Sequence, residues 1–184
     1  MTDQEKIQRA ITLFGGNESD WAIHENGRGV VNKSASVQTS VFIDSKVIVT
    51  GKAQVSGNAL VFGNVWVSGN AQVSGGARVS GDARVSGNAW VYGNAQVYGN
   101  AQVYGDARVS GDAWEFSPLY IQGTKHSLTA SKKGYIKIGC FELTVEQWKE
   151  KRVIIGEREG YTEKQIEEYG LYINLFEKWF ELIK

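Results

Sequence analysis

Three side-chain types recur at multiples of six residues through the middle of the chain. Trp66, Arg84, Trp90 and Arg108 share one phase of that period, and Tyr92, Tyr98 and Tyr104 share another. An arginine presents a planar fork of donors to phosphate or carboxylate, and a tryptophan or tyrosine presents an apolar face to a flat ring. Together they suit a nucleotide, which is a flat ring joined to a diffuse anion. The same residue types serve two structural ends equally well. Arginine can stack on tryptophan in a neighbouring repeat, cation–π fashion, and aromatic-rich, charge-poor surfaces pack against other subunits.

A second candidate is "IQGTKH", Ile121 to His126, which puts Lys125 and His126 beside a glycine and precedes Lys132 and Lys133. An anion would suit it; a polar connection between strands is the structural alternative. General-base chemistry has little material. His24 and His126 are the two histidines, and none stands between Gly29 and Trp114. The outward serines of the repeat lack a neighbouring base, and Asp82, Asp106 and Asp112 alternate with asparagine at turn positions. No Cys/His or carboxylate spacing suggests a metal site. Cys140 is the one cysteine, so no disulfide framework forms within the chain, and it reads as a small half-buried hydrophobe.

The elements that position these residues follow from the repeat. From Val31 to Val109 every sixth residue is valine, except Ile43. From Ala35 to Ala113 an alanine, or a valine at Val41, Val47 and Val65, stands two places before the valine. From Gly51 to Gly111 every sixth residue is glycine, usually followed by Asn or Asp. The phrase is Ala-x-Val-x-Gly-Asn. Four residues alternate inward and outward as a strand does. Gly-Asn then supplies two residues tolerant of positive φ. Strands this short satisfy their backbones by pairing with equivalents one coil above and below. An interior of alanine and valine is thin and full, without a cavity.

With three phrases per coil, residues 18 apart form outward columns. These are Gln54, Gln72, Trp90 and Arg108; Leu60, Arg78, Gln96 and Trp114; and Ile48, Trp66, Arg84 and Gln102. The outward positions are poor in Lys and Glu, unlike an ordinary solvated face.

The pairs Val55 and Ala59, Val61 and Val65, and Val85 and Ala89 resemble the motif of the hexapeptide-repeat family. The resemblance implies a mainly β, single-stranded left-handed parallel β-helix with three hexapeptides per triangular coil. It also implies the acyltransferase class: trimers using acetyl-CoA, with a histidine as general base. Here only His126 or His24 could serve, from outside the repeat. The near-perfect phrases and helical end also resemble small members carried by phages and prophages, some of whose accessory proteins sequester nucleotide signals.

The flanks differ in composition. Thr2 with Glu5 forms a capping box for a helix to Phe14, with Ile7, Ala10, Ile11 and Phe14 on one face. Asp20 to Arg28 reads as a capping strand. Glu115 falls where valine is due and ends the repeat. Beyond it lies a hairpin around SKKG, followed by helices opened by Thr144 with Gln147 and Thr162 with Gln165. The last helix is apolar over too wide an arc to be covered by one hairpin, so part of it is expected to pack on another subunit. The organisation is therefore 1–28, helix and cap; 29–116, β-helix; 117–184, hairpin and helices.

Formal net charge is zero, which argues against extended nucleic acid as partner. No apolar run suits a signal peptide or membrane span, and a cytoplasmic location is expected. The function expected is a non-enzymatic homo-oligomer, a trimer by family, holding a small nucleotide-like anion in seams between subunits. Its expected ligand contacts are Arg84, Arg108, Trp66, Trp90, Tyr92, Tyr98, Tyr104, Lys125 and His126, with no cofactor. The alternatives are the acyltransferase and a structural or host-protein-binding inhibitor.

Overall fold

The computed structural model describes residues 1–111, 113–114 and 117–183. Asp112, Glu115 and Phe116 lie outside the described residues, so the expected end of the repeat at Glu115 and the 116/117 boundary do too. The chain divides into two compact units, Met1–Asp106 with Ser110–Ser117, and Ala107–Val109 with Pro118–Lys184.

The first unit is a parallel β-solenoid of about 4 turns. Its strands are two or three residues long, and each pairs with the equivalent strand one coil away. Phe42–Ile43, Leu60–Val61, Arg78–Val79 and Gln96–Val97 form one such ladder, in register at 18-residue intervals. The rungs are backbone bonds between coils, such as Leu60 N–H to the Ala77 carbonyl at 2.9 Å and Phe62 N–H to that of Val79 at 3.0 Å. Three of these rungs bury one alanine and one valine each, Ala59 with Val61, Ala77 with Val79 and Ala95 with Val97, and the Phe42–Ile43 rung buries Val41 and Ile43. The first coil has less above it, and Val31, Ala35 and Val37 are half-buried.

The turn works differently from the expectation. Of each Gly-Asn pair only the glycine takes positive φ, and the one described non-glycine that does so is Arg28, at φ 67°. At Gly69, φ 68°, an added Cβ would lie 3.0 Å from the amide nitrogen and carbonyl oxygen of Gly87 in the next coil. Glycine is required there by conformation and by stacking together. The asparagines instead ladder. Asn70 Nδ2 donates to Asn88 Oδ1 and Asn88 Nδ2 to Asp106 Oδ1, both at 3.0 Å, and Asn64 bonds Asp82 likewise. Asp44 takes a related place, accepting from Gly63 N–H at 3.0 Å and Ser45 N–H at 2.6 Å. Chiefly the Gly63 bond holds its carboxyl below the usual range, against some desolvation.

One column departs from the expected spacing. Ala113 pairs with Gln96 and Trp114 with Val97, a register one residue shorter than the coils before. Trp114, expected outward, therefore occupies the valine position and is fully buried. A coil shortened by one residue exchanges inward and outward positions, because strand side chains alternate.

The N-terminal helix α1, Asp3–Phe14, has the expected Thr2–Glu5 capping box. It packs on an outer face of the solenoid. Ala10, Trp21, Val30 and Ile48 form a buried cluster, with Ile7, Ile11, Ile23 and Trp66 against it. Arg9 Nη1 donates to the Lys46 carbonyl at 2.9 Å, and Nη2 bonds Asn64. The expected capping strand is Trp21–Ile23, antiparallel to Val30–Asn32. The segment after it covers a second first-coil strand: Ile43 N–H donates to the Asn26 carbonyl and Gly29 N–H to that of Ile43. The third, Ser36–Val37, stands at the end of its ladder and is only two residues long. Short edges offer little template for unwanted pairing.

The second unit carries a four-stranded antiparallel sheet, Tyr120–Gln122, Ser127–Lys132, Tyr135–Ile138 and Phe141–Thr144, where the sequence suggested a single hairpin. Helices α2, Val145–Arg158, and α3, Glu163–Leu182, follow with the expected Thr144–Gln147 and Thr162–Gln165 capping boxes. Tyr169, Ile173, Phe176 and Phe180 are the buried residues of α3, whereas Leu171, Leu175 and Leu182 are exposed. The buried Trp148 of α2 donates its indole N–H to the Ile136 carbonyl at 2.8 Å. Cys140 is exposed, not half-buried as expected, because it lies in the turn between the last two strands.

Candidate functional site

The outward positions of the coils stand where the 18-residue period puts them. Ile48 pairs with Trp66, Trp66 with Arg84, and Arg84 with Gln102, so these four form one column. Its upper part is covered by α1. Phe14 meets Trp66 edge-on, centroids 5.2 Å apart, and the Arg84 guanidinium lies 4.3 Å from the Trp66 ring centroid. Trp66 is half-buried, and its indole nitrogen is shielded from solvent without an acceptor. A guanidinium held beside a ring still carries its five N–H donors, which an acceptor can meet. Arg84 is exposed.

On a second column Gln54 pairs with Gln72 and Gln72 with Trp90. Trp90 is 39% exposed. Arg108, in the strand Arg108–Ser110, is half-buried. The three tyrosines occupy successive phrases around the coils: Tyr92 and Tyr98 are half-buried and Tyr104 is 50% exposed. The described repeat thus brings Trp66 and Arg84 into direct contact.

Lys125 and His126 belong to the second unit. The Lys125 ammonium donates to the carbonyls of Glu159 and Gly160 at 2.6 and 2.8 Å, where α2 ends, and lies 4.6 Å from the Tyr161 centroid. A cation satisfies the orphan carbonyls of a helix C-terminus. The His126 ring is exposed and edge-on to Tyr161, centroids 5.9 Å apart. Its backbone N–H donates to the Tyr169 hydroxyl, which in turn donates to the His126 carbonyl. Burial, with Tyr169 beside it, raises the Tyr161 phenol well above its usual range, so it stays a neutral donor. Among the described residues no group of His, Cys, Asp and Glu is placed to hold a metal ion. Among the described residues no helix is long and apolar enough to cross a membrane.

Reading the columns by phase missed the contribution of α1 to the Trp66 column. The signal was present: Val30 and Ile48 are apolar at outward positions, directly above Trp66. An outward apolar run needs a cover, and the apolar face of α1 supplies it.

Comparison with known proteins agrees with the architecture. The chain matches the YdcK Beta solenoid repeat family over residues 53–69, 77–93, 83–99 and 101–115, which together are fewer than half of its residues. The middle of the chain is accordingly a β-helix repeat. No curated protein and no solved structure matches it.

Proposed function

We propose that this protein is a non-catalytic, homo-oligomeric solenoid that binds a small anionic, nucleotide-like ligand on its coil faces, in seams between subunits. The observation that carries this reading is the composition of the outward positions. From Ala53 to Trp114 the chain contains neither lysine nor glutamate, while Arg, Trp, Tyr and Gln recur. A face that only met water would gain solubility from Lys and Glu. Arginine fixed by stacking loses less freedom on binding an anion than a free one does. The resemblance to hexapeptide-repeat proteins extends the reading to a left-handed trimer. Its phage-borne members extend it to the sequestration of a host signal.

The test is native mass spectrometry of the protein purified from cells, before and after gentle denaturation. The expected result is an oligomer that releases an intact nucleotide-like mass. Arg84→Ala and Arg108→Ala are expected to lose that mass while keeping the oligomer. An empty oligomer that takes up acetyl-CoA, or retention of the ligand by both variants, overturns the reading.

A further inference from the structure

The second unit contains a cleft of about 470 Å³, its open mouth included, that the solenoid reading does not use. Ile138, Phe141, Trp148, Ile155, Ile166 and Ile173 supply walls that are aliphatic and aromatic. Gly156 deepens it between the helices: an added Cβ there would lie 2.7 Å from Ile166 Cγ1. His126, Cys140, Tyr161 and Tyr169 also line it, and its charged groups, Arg152 and Glu159, come from α2 and its C-terminal end. Arg152 is its one arginine or lysine, and Glu159 stands seven residues later, two helical turns or about 10 Å along the axis.

Arg152 is half-buried, and its Nε is shielded from solvent without a hydrogen-bond partner. One of its other nitrogens, Nη1, donates to the Lys149 carbonyl of its own helix at 3.0 Å. Nε lies against α3, 3.1 Å from where a Cβ on Gly170 would stand, so a ligand would meet the terminal nitrogens, where a charge-assisted bond is stronger than a neutral one. An apolar cleft with one convergent cation is the arrangement that orients a small amphipathic ligand. A monoanion costs less to desolvate among isoleucines than a phosphate dianion does.

We propose that this cleft binds a small aromatic carboxylate, its ring among Phe141, Trp148 and Ile155 and its carboxylate on Arg152. The site is separate from the coil faces and takes a different ligand.

Cys140 provides the readout, because it is the chain's one cysteine, is exposed, and lines the same cleft. The experiment measures the rate at which the uncharged thiol reagent N-ethylmaleimide labels Cys140 in the full-length protein, against increasing phenylacetate, with benzyl alcohol as neutral control. Phenylacetate is expected to slow labelling saturably and benzyl alcohol to do so more weakly. Arg152→Gln is expected to weaken phenylacetate protection about tenfold or more and to leave the benzyl alcohol effect unchanged. Ile155→Trp, which fills the cleft and keeps Arg152, is expected to abolish both. Circular dichroism checks each variant, and Arg152→Lys, keeping the charge but not the fork, replaces Arg152→Gln if that variant does not fold. Equal protection by acid and alcohol, no saturable protection, or protection that survives Ile155→Trp overturns the proposal.

Discussion

A corner asparagine does its work through the direction of its amide. In the Asn70, Asn88, Asp106 column each Nδ2 donates to the oxygen of the residue below. An aspartate can accept at the foot of such a column but cannot pass the bond on. Asn88→Asp should therefore lose a donor and set two carboxylates against each other, costing about 1 kcal/mol at neutral pH. Thermal melts should show the deficit shrinking below about pH 4, where carboxylates protonate; a deficit independent of pH contradicts the ladder. Asp44 tests the opposite sign. Its carboxyl is held below 3.8, its ordinary value, chiefly by the Gly63 amide. Its stabilisation is thus complete above that value and lost as pH falls through the lower folded one. Asp44→Asn should melt lower at pH 7, by about 1 kcal/mol, and converge with the parent as both are acidified. Parallel curves at all pH values would show that the carboxylate charge contributes nothing. The sequence could show that Asn and Asp interchange at corners. It could not show why, because φ tolerance and laddering select the same residues.

At the level of elements, the solenoid was legible because each strand repeats one local rule. Alanine and valine alternate inward, glycine turns the chain, and a period of six repeated three times brings like onto like. Ala95 is fully buried within that rule. Ala95→Leu should overpack the interior by three carbons and destabilise the fold by about 1–3 kcal/mol, read as a lower melting temperature. An unchanged melting temperature would mean that the interior has room to spare. What the rule could not reveal is where it lapses. The one-residue shortening that turns Trp114 inward depends on a coil with a different residue count, and its one sign, Glu115 where valine is due, reads as the end of the repeat and not as a change of register. Helix α1 was legible as a helix from Thr2, Glu5 and its apolar face. Its seat on Val30 and Ile48 required a second reading, of the outward column, that a search for ligand contacts passes over. For the candidate site the sequence predicted the Trp66–Arg84 contact as one of two alternatives. Periodicity sets the column, but which neighbour engages an arginine depends on rotamers and cover.

For the whole molecule, the two units pose different solubility problems. The solenoid presents few charges yet leaves mostly single aromatic residues exposed on its faces, as at Trp90 and Tyr104. The second unit concentrates its exposed apolar surface on helices: Ile154 is 69% exposed on α2, and Leu171, Leu175 and Leu182 are 71, 50 and 84% exposed on α3. On α3 the run Leu171, Leu175, Lys178, Leu182 is spaced four, three and four residues apart. That is the a/d spacing by which helices of separate chains meet, with a lysine at one seam position limiting the register. The proposed oligomer predicts that this seam contributes to it. Leu171→Glu combined with Leu175→Glu leaves the buried face of Tyr169, Ile173, Phe176 and Phe180 untouched. The double variant should keep the parent's circular dichroism and sediment as a monomer, while the parent sediments as an oligomer. If both sediment as the same oligomer, assembly rests on the coil faces, and Arg84 and Arg108 become the positions to vary next. If the parent is itself a monomer, no seam between subunits exists, and binding by the solenoid would have to rest on single faces.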